Sequence, residues 1–223
     1  MSSRTSGRLS RLRARAHARL ALGRETRTVR IGLVRDLDVP WERPSAKIPI
    51  SVRPMVREDL ATLLAPPPGS ALKEQLEVAW RKEYVDHHLA RAWVAVDERD
   101  GSPCYVQWLL GPSENDFILA QRTFPALEAD QALLENAYTA VSHRGLGIMS
   151  AAMAAIAERA TDLDARYVLT FVGDDNIASL KGCRRAGFAP HLLHHKVQRF
   201  YGLRETNTFE ILGADDSRRV LQL

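Results

Sequence analysis

The sequence predicts an α/β fold, a twisted mixed sheet with helices on both faces. Three stretches carry that expectation. Leu133 to Met153 (LLENAYTAVSHRGLGIMSAAM) reads as strand, glycine turn and helix. Ala165 to Val172 (ARYVLTFV) is a nearly continuous apolar run, as expected for a strand deep in a sheet, and Gly173-Asp174-Asp175-Asn176 turns it into a helix. Ala92–Asp97 and Cys104–Leu110 read as strands joined by the hairpin connection Arg99-Asp100-Gly101-Ser102-Pro103.

Taken in order, residues 1–24 are rich in Arg, Ala and Ser and contain no acid. Leu9, Leu12, Ala16 and Leu20 fall on one helical stripe beside Arg8, Arg11, Arg15 and Arg19. A solvated, partly helical tail is the first reading. Contact of residues 1–30 with RNA or an anionic membrane is the second, and an Arg-rich transit peptide the third. Residues 25–47 read as a linker, extended by Pro40 and Pro44, with Trp41 available to dock. Ile48–Arg53 alternates apolar residues and reads as the first strand. Val56-Arg57-Glu58-Asp59-Leu60 starts a helix, Pro66–Gly69 breaks the chain, and Ser70 caps a helix over about 71–89. Glu77, Glu83, Asp86, His87 and His88 on that helix form a candidate acidic lip, or a solvated face. Residues 112–131 are longer than a tight hairpin needs and read as a short helix or lid, with Phe117, Phe124 and Leu127 toward a pocket or simply packed. The helix from Ile148 to about Ala160 shows core spacing at Met149, Ala152, Ile156 and Ala160. A further helix spans Ile177–Ala186 and ends at Gly187. Val197–Tyr201 and Asn207–Leu212 read as a last antiparallel pair, and residues 213–223 as a frayed tail.

The 223 residues, 45% hydrophobic and 26% charged, suit one sizeable domain with extensions. Two cysteines, Cys104 and Cys183, exclude a disulfide framework and suggest a reducing, cytoplasmic setting. No run is apolar and long enough for a transmembrane helix. The net charge of +4 is uneven. Residues 1–47 carry 12 Lys/Arg against 4 Asp/Glu, while the rest is mildly acidic, with 19 against 23.

Chemistry concentrates at the central stretch. Gly145 and Gly147, two residues apart, suit a backbone that must approach something closely. A glycine turn opening a helix presents free N–H groups backed by the helix dipole, and Arg144 adds a cation: together an anion site suited to phosphate, or an ordinary β-to-α turn. Period two puts Leu133, Glu135, Ala137 and Thr139 on one face and Asn136 and Tyr138 on the other. A carboxylate inside an apolar strand must be solvated, paired or used, and burial would raise the pKa of Glu135 toward that of a general base. His191, His194 and His195 lack a neighbouring Cys or acid and read as structural, so no metal is expected.

Arg144-Gly145-Leu146-Gly147-Ile148, after a strand and before a helix, resembles the acyl-CoA loop of the GNAT superfamily of N-acetyltransferases, Q/R-x-x-G-x-G/A. Asn176-Ile177-Ala178-Ser179 followed by Arg185-Ala186-Gly187-Phe188 resembles the family's second signature, N-x-x-A/S and then K-x-G-F. The resemblance covers roughly Ile48 to Leu212. It implies a GNAT-like sheet of six or seven strands in a domain over 48–213, splayed between the strands at 133–140 and 165–172, where pantetheine would lie. It implies acetyl-CoA or another acyl-CoA as co-substrate, its diphosphate held by Arg144, Gly145, Leu146, Gly147, Ile148 and Met149, with Ala140 and Val141 leading into that turn. Asn176 would bond the pantetheine amide. Glu135 would be the base, backbone near Thr139 the oxyanion donor, and Ser179 a hydrogen bond on the thiolate side. Two residues depart from the pattern: Met149 replaces the usual Gly or Ala, and Cys183 stands where many members carry a Tyr.

The expected chemistry is acyl transfer to a primary amine by direct attack. Two other functions fit the same residues: an acetyltransferase of a ribosomal or other protein target tethered by the basic tail, and a catalytically idle CoA-binding sensor or assembly module. A homodimer is common in such folds. Neither the acceptor nor the acyl length is specified by any residue pattern.

Overall fold

The structure, a computed structural model, describes residues 24–64 and 89–219 and, between them, Gln75, Val78, Arg81, Lys82, Tyr84 and Val85. The basic stripe before Arg24 and the proposed lip of Glu77, Glu83, Asp86, His87 and His88 lie outside the described residues.

Eight strands form one sheet: β1 (Glu25–Asp36), β2 (Ile50–Pro54), β3 (Ala92–Asp97), β4 (Pro103–Leu110), β5 (Gln131–Thr139), β6 (Tyr167–Gly173), β7 (Ala189–Arg199) and β8 (Arg204–Ile211). Four α-helices accompany them among the described residues: α1 (Leu60–Leu63), α2 (Asn115–Ala120), α3 (Ile148–Ala157) and α4 (Ile177–Arg185). The spatial order is β2-β3-β4-β5-β6-β1-β7-β8. Every neighbouring pair is antiparallel except β5 and β6. The mixed α/β sheet is as expected, but it has eight strands rather than six or seven.

The extra strand is β1, inside the stretch read as linker. It lies between β6 and β7 and pairs with both, from Arg30↔Gly173 to Asp36↔Tyr167 on one side and from Glu25↔Arg199 to Val34↔Ala189 on the other. Gly32 is needed there: a Cβ at that position would sit 2.7 Å from the Leu192 side chain and 2.9 Å from the Phe171 ring. Only after β1 does the chain become a connector, and Trp41 does dock. Its ring covers Gly187, and its Nε1 donates to the Arg185 carbonyl at 2.9 Å.

The core has two sides. On one, α3 and α4 pack Ile148, Ala152, Met153, Ile156, Leu180 and Cys183 against Leu33, Leu134 and Val168. On the other, Leu63, Leu64, Val78, Tyr84, Val85, Ile118 and Phe124 cover Val106, Trp108, Leu133 and Phe171. Arg35 ties the first side together. It is buried and donates to the Ala154 carbonyl at 3.2 Å and the Ala186 carbonyl at 3.3 Å, a cation set against the C-terminal ends of α3 and α4.

Two sequence expectations on β5 change. Trp108 pairs with Glu135 and Val106 with Tyr138, so Asn136 and Ala137 together oppose Gln107 in a β-bulge. The extra residue reverses the alternation. Leu133 and Tyr138 pack on one side and Ala137 on the other, so Leu133 and Ala137 do not share a face. The backbone expected as oxyanion donor lies near Thr139, which pairs regularly with Tyr105, whereas the bulge lies at 136–137, next to Glu135. Asn136 takes φ 59° there, a left-handed conformation that Asn tolerates better than most residues. At the end of the chain, Ser217–Arg219 forms a 3-10 turn against β7 instead of fraying at 213.

Candidate functional site

β5 and β6 pair from Gln131↔Tyr167 to Leu134↔Thr170 and no further. Beyond Leu134 the bulge bends β5 away, and a V-shaped opening forms with Glu135 at its apex. An inner cavity of ≈350 Å³ lies there, walled by Arg30, Gln107, Glu135, Asn136, Thr170, Phe171, Met149 and Cys183 among others. It adjoins an outer cleft of ≈910 Å³, with which it shares Arg81, Ala137, Met149, Asn176 and Ser179.

The glycine turn forms the outer mouth. Gly145 and Gly147 have φ of 79° and 75°, values that only glycine adopts freely, and Gly147 is the N-cap of α3. The first N–H groups of a helix have no intrahelical acceptor and face the positive end of its dipole. Cations surround them. Lys47, Arg81, Arg144, Lys181 and Arg185 line the outer cleft, and among the described residues no Asp or Glu does. Lys47 was not among the residues singled out from sequence. The Ser45–Lys47 segment passes the turn, with the Lys47 N–H donating to the Leu146 carbonyl at 2.8 Å. The turn is also braced from β3. His143 Nε2 lies 3.3 Å from the Asp97 carboxylate, whose pKa Arg99 and then the Arg99 backbone N–H hold well below the usual carboxylate range.

Most of the sequence-selected residues meet in this cleft. Thr139, Arg144, Gly145, Gly147, Ile148, Met149, Asn176 and Ser179 line its outer part and Glu135 its inner part. Ala140, Val141 and Leu146 do not. The Ala140 N–H donates to the Cys104 carbonyl at 2.9 Å and its carbonyl accepts the His143 N–H at 2.9 Å, Val141 is exposed, and Leu146 packs against the core. Thr139 spends its carbonyl on Arg144 Nε at 3.3 Å. Asn176 Oδ1 caps α4 by accepting the Ser179 N–H at 3.2 Å, so cap duty is part of its role. Cys183 is wholly buried, and burial pushes its thiol up to about 12. The aromatic residues of 112–131 pack in the core, and only Phe124 approaches the site, beneath Arg30.

Glu135 is 6% exposed. Burial raises its pKa above the ordinary carboxylate value, while the Arg30 charge and the Asn136 backbone N–H pull it down. Arg30 Nη2 lies 3.6 Å from Glu135 Oε1 and donates to the Phe171 carbonyl at 3.1 Å. Its guanidinium stacks over the Phe124 and Phe171 rings, with centroids at 5.1 and 5.5 Å. Sequence reading missed Arg30 because its strand was read as linker. A buried carboxylate with raised pKa at the floor of a cleft, beside a cation-lined turn, suits proton removal from a nucleophile next to a bound polyanion. Among the described residues no group of three His, Cys, Asp or Glu is placed to hold a metal, and no helix is long and apolar enough to cross a membrane.

Residues 58–188 match the family model described as the acetyltransferase (GNAT) family. Comparison with curated proteins gives no match. Among solved structures, the chain is similar to a glucosamine N-acetyltransferase region of a fungal multi-domain β-N-acetylglucosaminidase (13% identity, 87% of this chain and 22% of that one, TM-score 0.50). It is similar to a conserved protein from Staphylococcus epidermidis (10%, 81% and 64%, TM-score 0.50), and to a GCN5-related N-acetyltransferase from Sphaerobacter thermophilus (17%, 83% and 56%, TM-score 0.48). The chain spans about half the length of several of the structures it matches. At these identities the two likenesses with a TM-score of 0.50 show the fold alone.

Proposed function

The chain belongs to the GNAT family of acetyltransferases, and from that premise we propose that it moves an acetyl, or another small acyl group, from acyl-CoA to a primary amine by direct attack. One observation carries the reading. The sheet opens between β5 and β6 at Leu134/Thr170, with a buried carboxylate at the apex and a cation-lined glycine turn at the mouth.

The cleft suits the co-substrate. Lys47, Arg144, Lys181, Arg185 and the first turn of α3 offer a polyanion such as the CoA phosphates several donors, and no carboxylate lines the cleft among the described residues. The gap beyond Leu134 leaves strand-edge groups of β5 for an amide-bearing arm, and the Asn176 amide faces the same cleft. Glu135 takes the proton that makes the attacking amine neutral. The N–C bond then forms as the C–S bond breaks, and CoA leaves as its thiol once a proton is returned. For the developing oxyanion, the bulge N–H of Ala137, out of register with Gln107, is a better donor than Thr139, because a bulge interrupts the ladder there, while the Asn136 N–H already serves the Glu135 carboxylate. Ser179 is the hydroxyl within the cleft that serves the thiolate side. The Cys183 thiol, held protonated by burial, supplies packing.

Thermal unfolding with acetyl-CoA, longer acyl-CoAs and free CoA, in wild type and Gly147→Trp, tests the reading. A ligand that binds the native state raises the melting temperature by mass action. A rise in wild type that is lost in the variant, followed by amine acylation, supports the proposal. No rise with any CoA overturns it, and a rise without turnover on any amine would instead favour a CoA-binding module.

A further inference from the structure

The inner cavity contains more polar groups than proton removal requires. Gln107 is fully buried. Its Oε1 accepts the Tyr105 hydroxyl at 2.6 Å, and its Nε2 has no partner among the described residues. Asn136, 6% exposed, has neither Nδ2 nor Oδ1 partnered among the described residues. Both residues line the same opening as Arg30 and Glu135, Gln107 from the Tyr105 side of the sheet. Buried amides without partners are rare, and where they line a cavity a ligand is the natural source of partners.

The charges specify that ligand further. Arg30 and Glu135 face each other at 3.6 Å, a loose pair compared with Arg53 and Asp59, which meet through two bonds of 2.8 Å. A cation and an anion this close on the protein are complementary to a ligand carrying the opposite two charges equally close together. Arg81 also lines the wall. A phosphomonoester would place about two negative charges beside Glu135, whereas a carboxylate places one.

Resting on the acyl-transfer reading above, we propose that the acceptor is a small amino-acid-like zwitterion, with a carboxylate one or two carbons from its primary amine. The carboxylate docks on Arg30 and the Gln107 amide. The amine docks between Glu135 and Asn136 Oδ1. The pocket, ≈350 Å³ and open to the outer cleft, has room for a free amino acid. The arrangement also couples recognition to chemistry. A carboxylate that draws Arg30 toward itself removes the nearest positive charge from Glu135 and leaves it a stronger base when an acceptor is in place. The reaction is unchanged: the ammonium gives one proton to Glu135 and on to water, the N–C bond forms as the C–S bond breaks, and the second amine proton ends on the thiolate, so that CoA leaves as the thiol.

The test uses the wild-type chain and acetyl-CoA, following thiol release with matched sets of amines. Each set holds an α- or β-amino acid, its carboxamide, and the amine lacking the carboxyl group. The acids are expected to exceed both partners at least tenfold in kcat/KM, and Arg30→Met to bring the acid-to-amide ratio toward one. Amides or plain amines acylated as well as the acids overturn the proposal and leave the acyl-transfer reading standing. Acetyl-CoA bound, by thermal shift, with no member of any set acylated overturns it too. Absence of acetyl-CoA binding removes the underlying reading and this proposal together. The wild-type comparison decides even where the Arg30 variant does not fold.

Discussion

Replacing Glu135 by Gln probes the chemistry most directly. The substitution keeps the size of the side chain and its ability to accept the Asn136 N–H, and removes only its capacity to take a proton. General-base assistance contributes about 10²–10⁴ in rate, roughly 2.7–5.4 kcal/mol of barrier at 1.36 kcal/mol per decade. Steady-state kinetics with saturating acetyl-CoA should therefore show kcat reduced by about that factor, with the thermal shift from acetyl-CoA retained, because Glu135 lies at the apex and not at the glycine turn. The pH profile is the sharper readout. The base acts only when ionised, so wild-type kcat/KM should fall on the acid side with an apparent pKa above 4.5, in the direction that burial imposes. That limb should vanish in the variant. Stability should move with pH as well. A carboxyl whose folded pKa is raised stabilises the fold fully below its unfolded pKa, and that contribution is lost as pH rises through the folded value. The melting temperature of the variant relative to wild type should accordingly climb with pH across that window. An unchanged kcat/KM with an unchanged acid limb would remove Glu135 from the mechanism.

Three other perturbations test the scaffold. Arg35→Met should cost about 2–3 kcal/mol in urea unfolding, because charged hydrogen bonds to the ends of α3 and α4 are lost from a buried site; no loss would mean those carbonyls find other partners. Gly32→Ala should cost about 1–3 kcal/mol, since the new Cβ meets Leu192 and Phe171 at under 3 Å, and wild-type stability would show that β1 packs more loosely than described. Lys47→Gln with Arg144→Gln should weaken CoA binding by roughly tenfold at low salt, with the gap from wild type closing as salt rises. A calorimetric Kd equal to wild type at low salt would remove both side chains from phosphate recognition.

Much of the fold was legible because its signals are local. The turn at Gly145–Gly147 and the helix stop at Gly187 declare themselves in a few residues, and each takes the positive φ that glycine permits. The candidate base was legible for a related reason: Glu135 is the one acid in an apolar run. β1 was not. Its arginines and mid-strand glycine read as linker. In the fold, Arg30 and Arg35 reach the carbonyls of Phe171, Ala154 and Ala186, and Gly32 makes room for Leu192 and Phe171, all over 100 residues away in the chain. The cations of the cleft divide in the same way. Arg144 lies within the motif, while Lys47 reaches the turn because the strap after β1 passes it.

By itself, then, the sequence determined the class of the fold, the order of most elements, the glycine turn and the single acid of the β5 apolar run, since each depends on neighbours within a turn or a strand. Only the tertiary structure decided which face of β5 each residue takes, what stands opposite Glu135, and which buried amides are left to line the cavity. A one-residue bulge reverses every side chain after it, and the strand that brings Arg30 to Glu135 starts over 100 residues earlier, so neither outcome has a local signal.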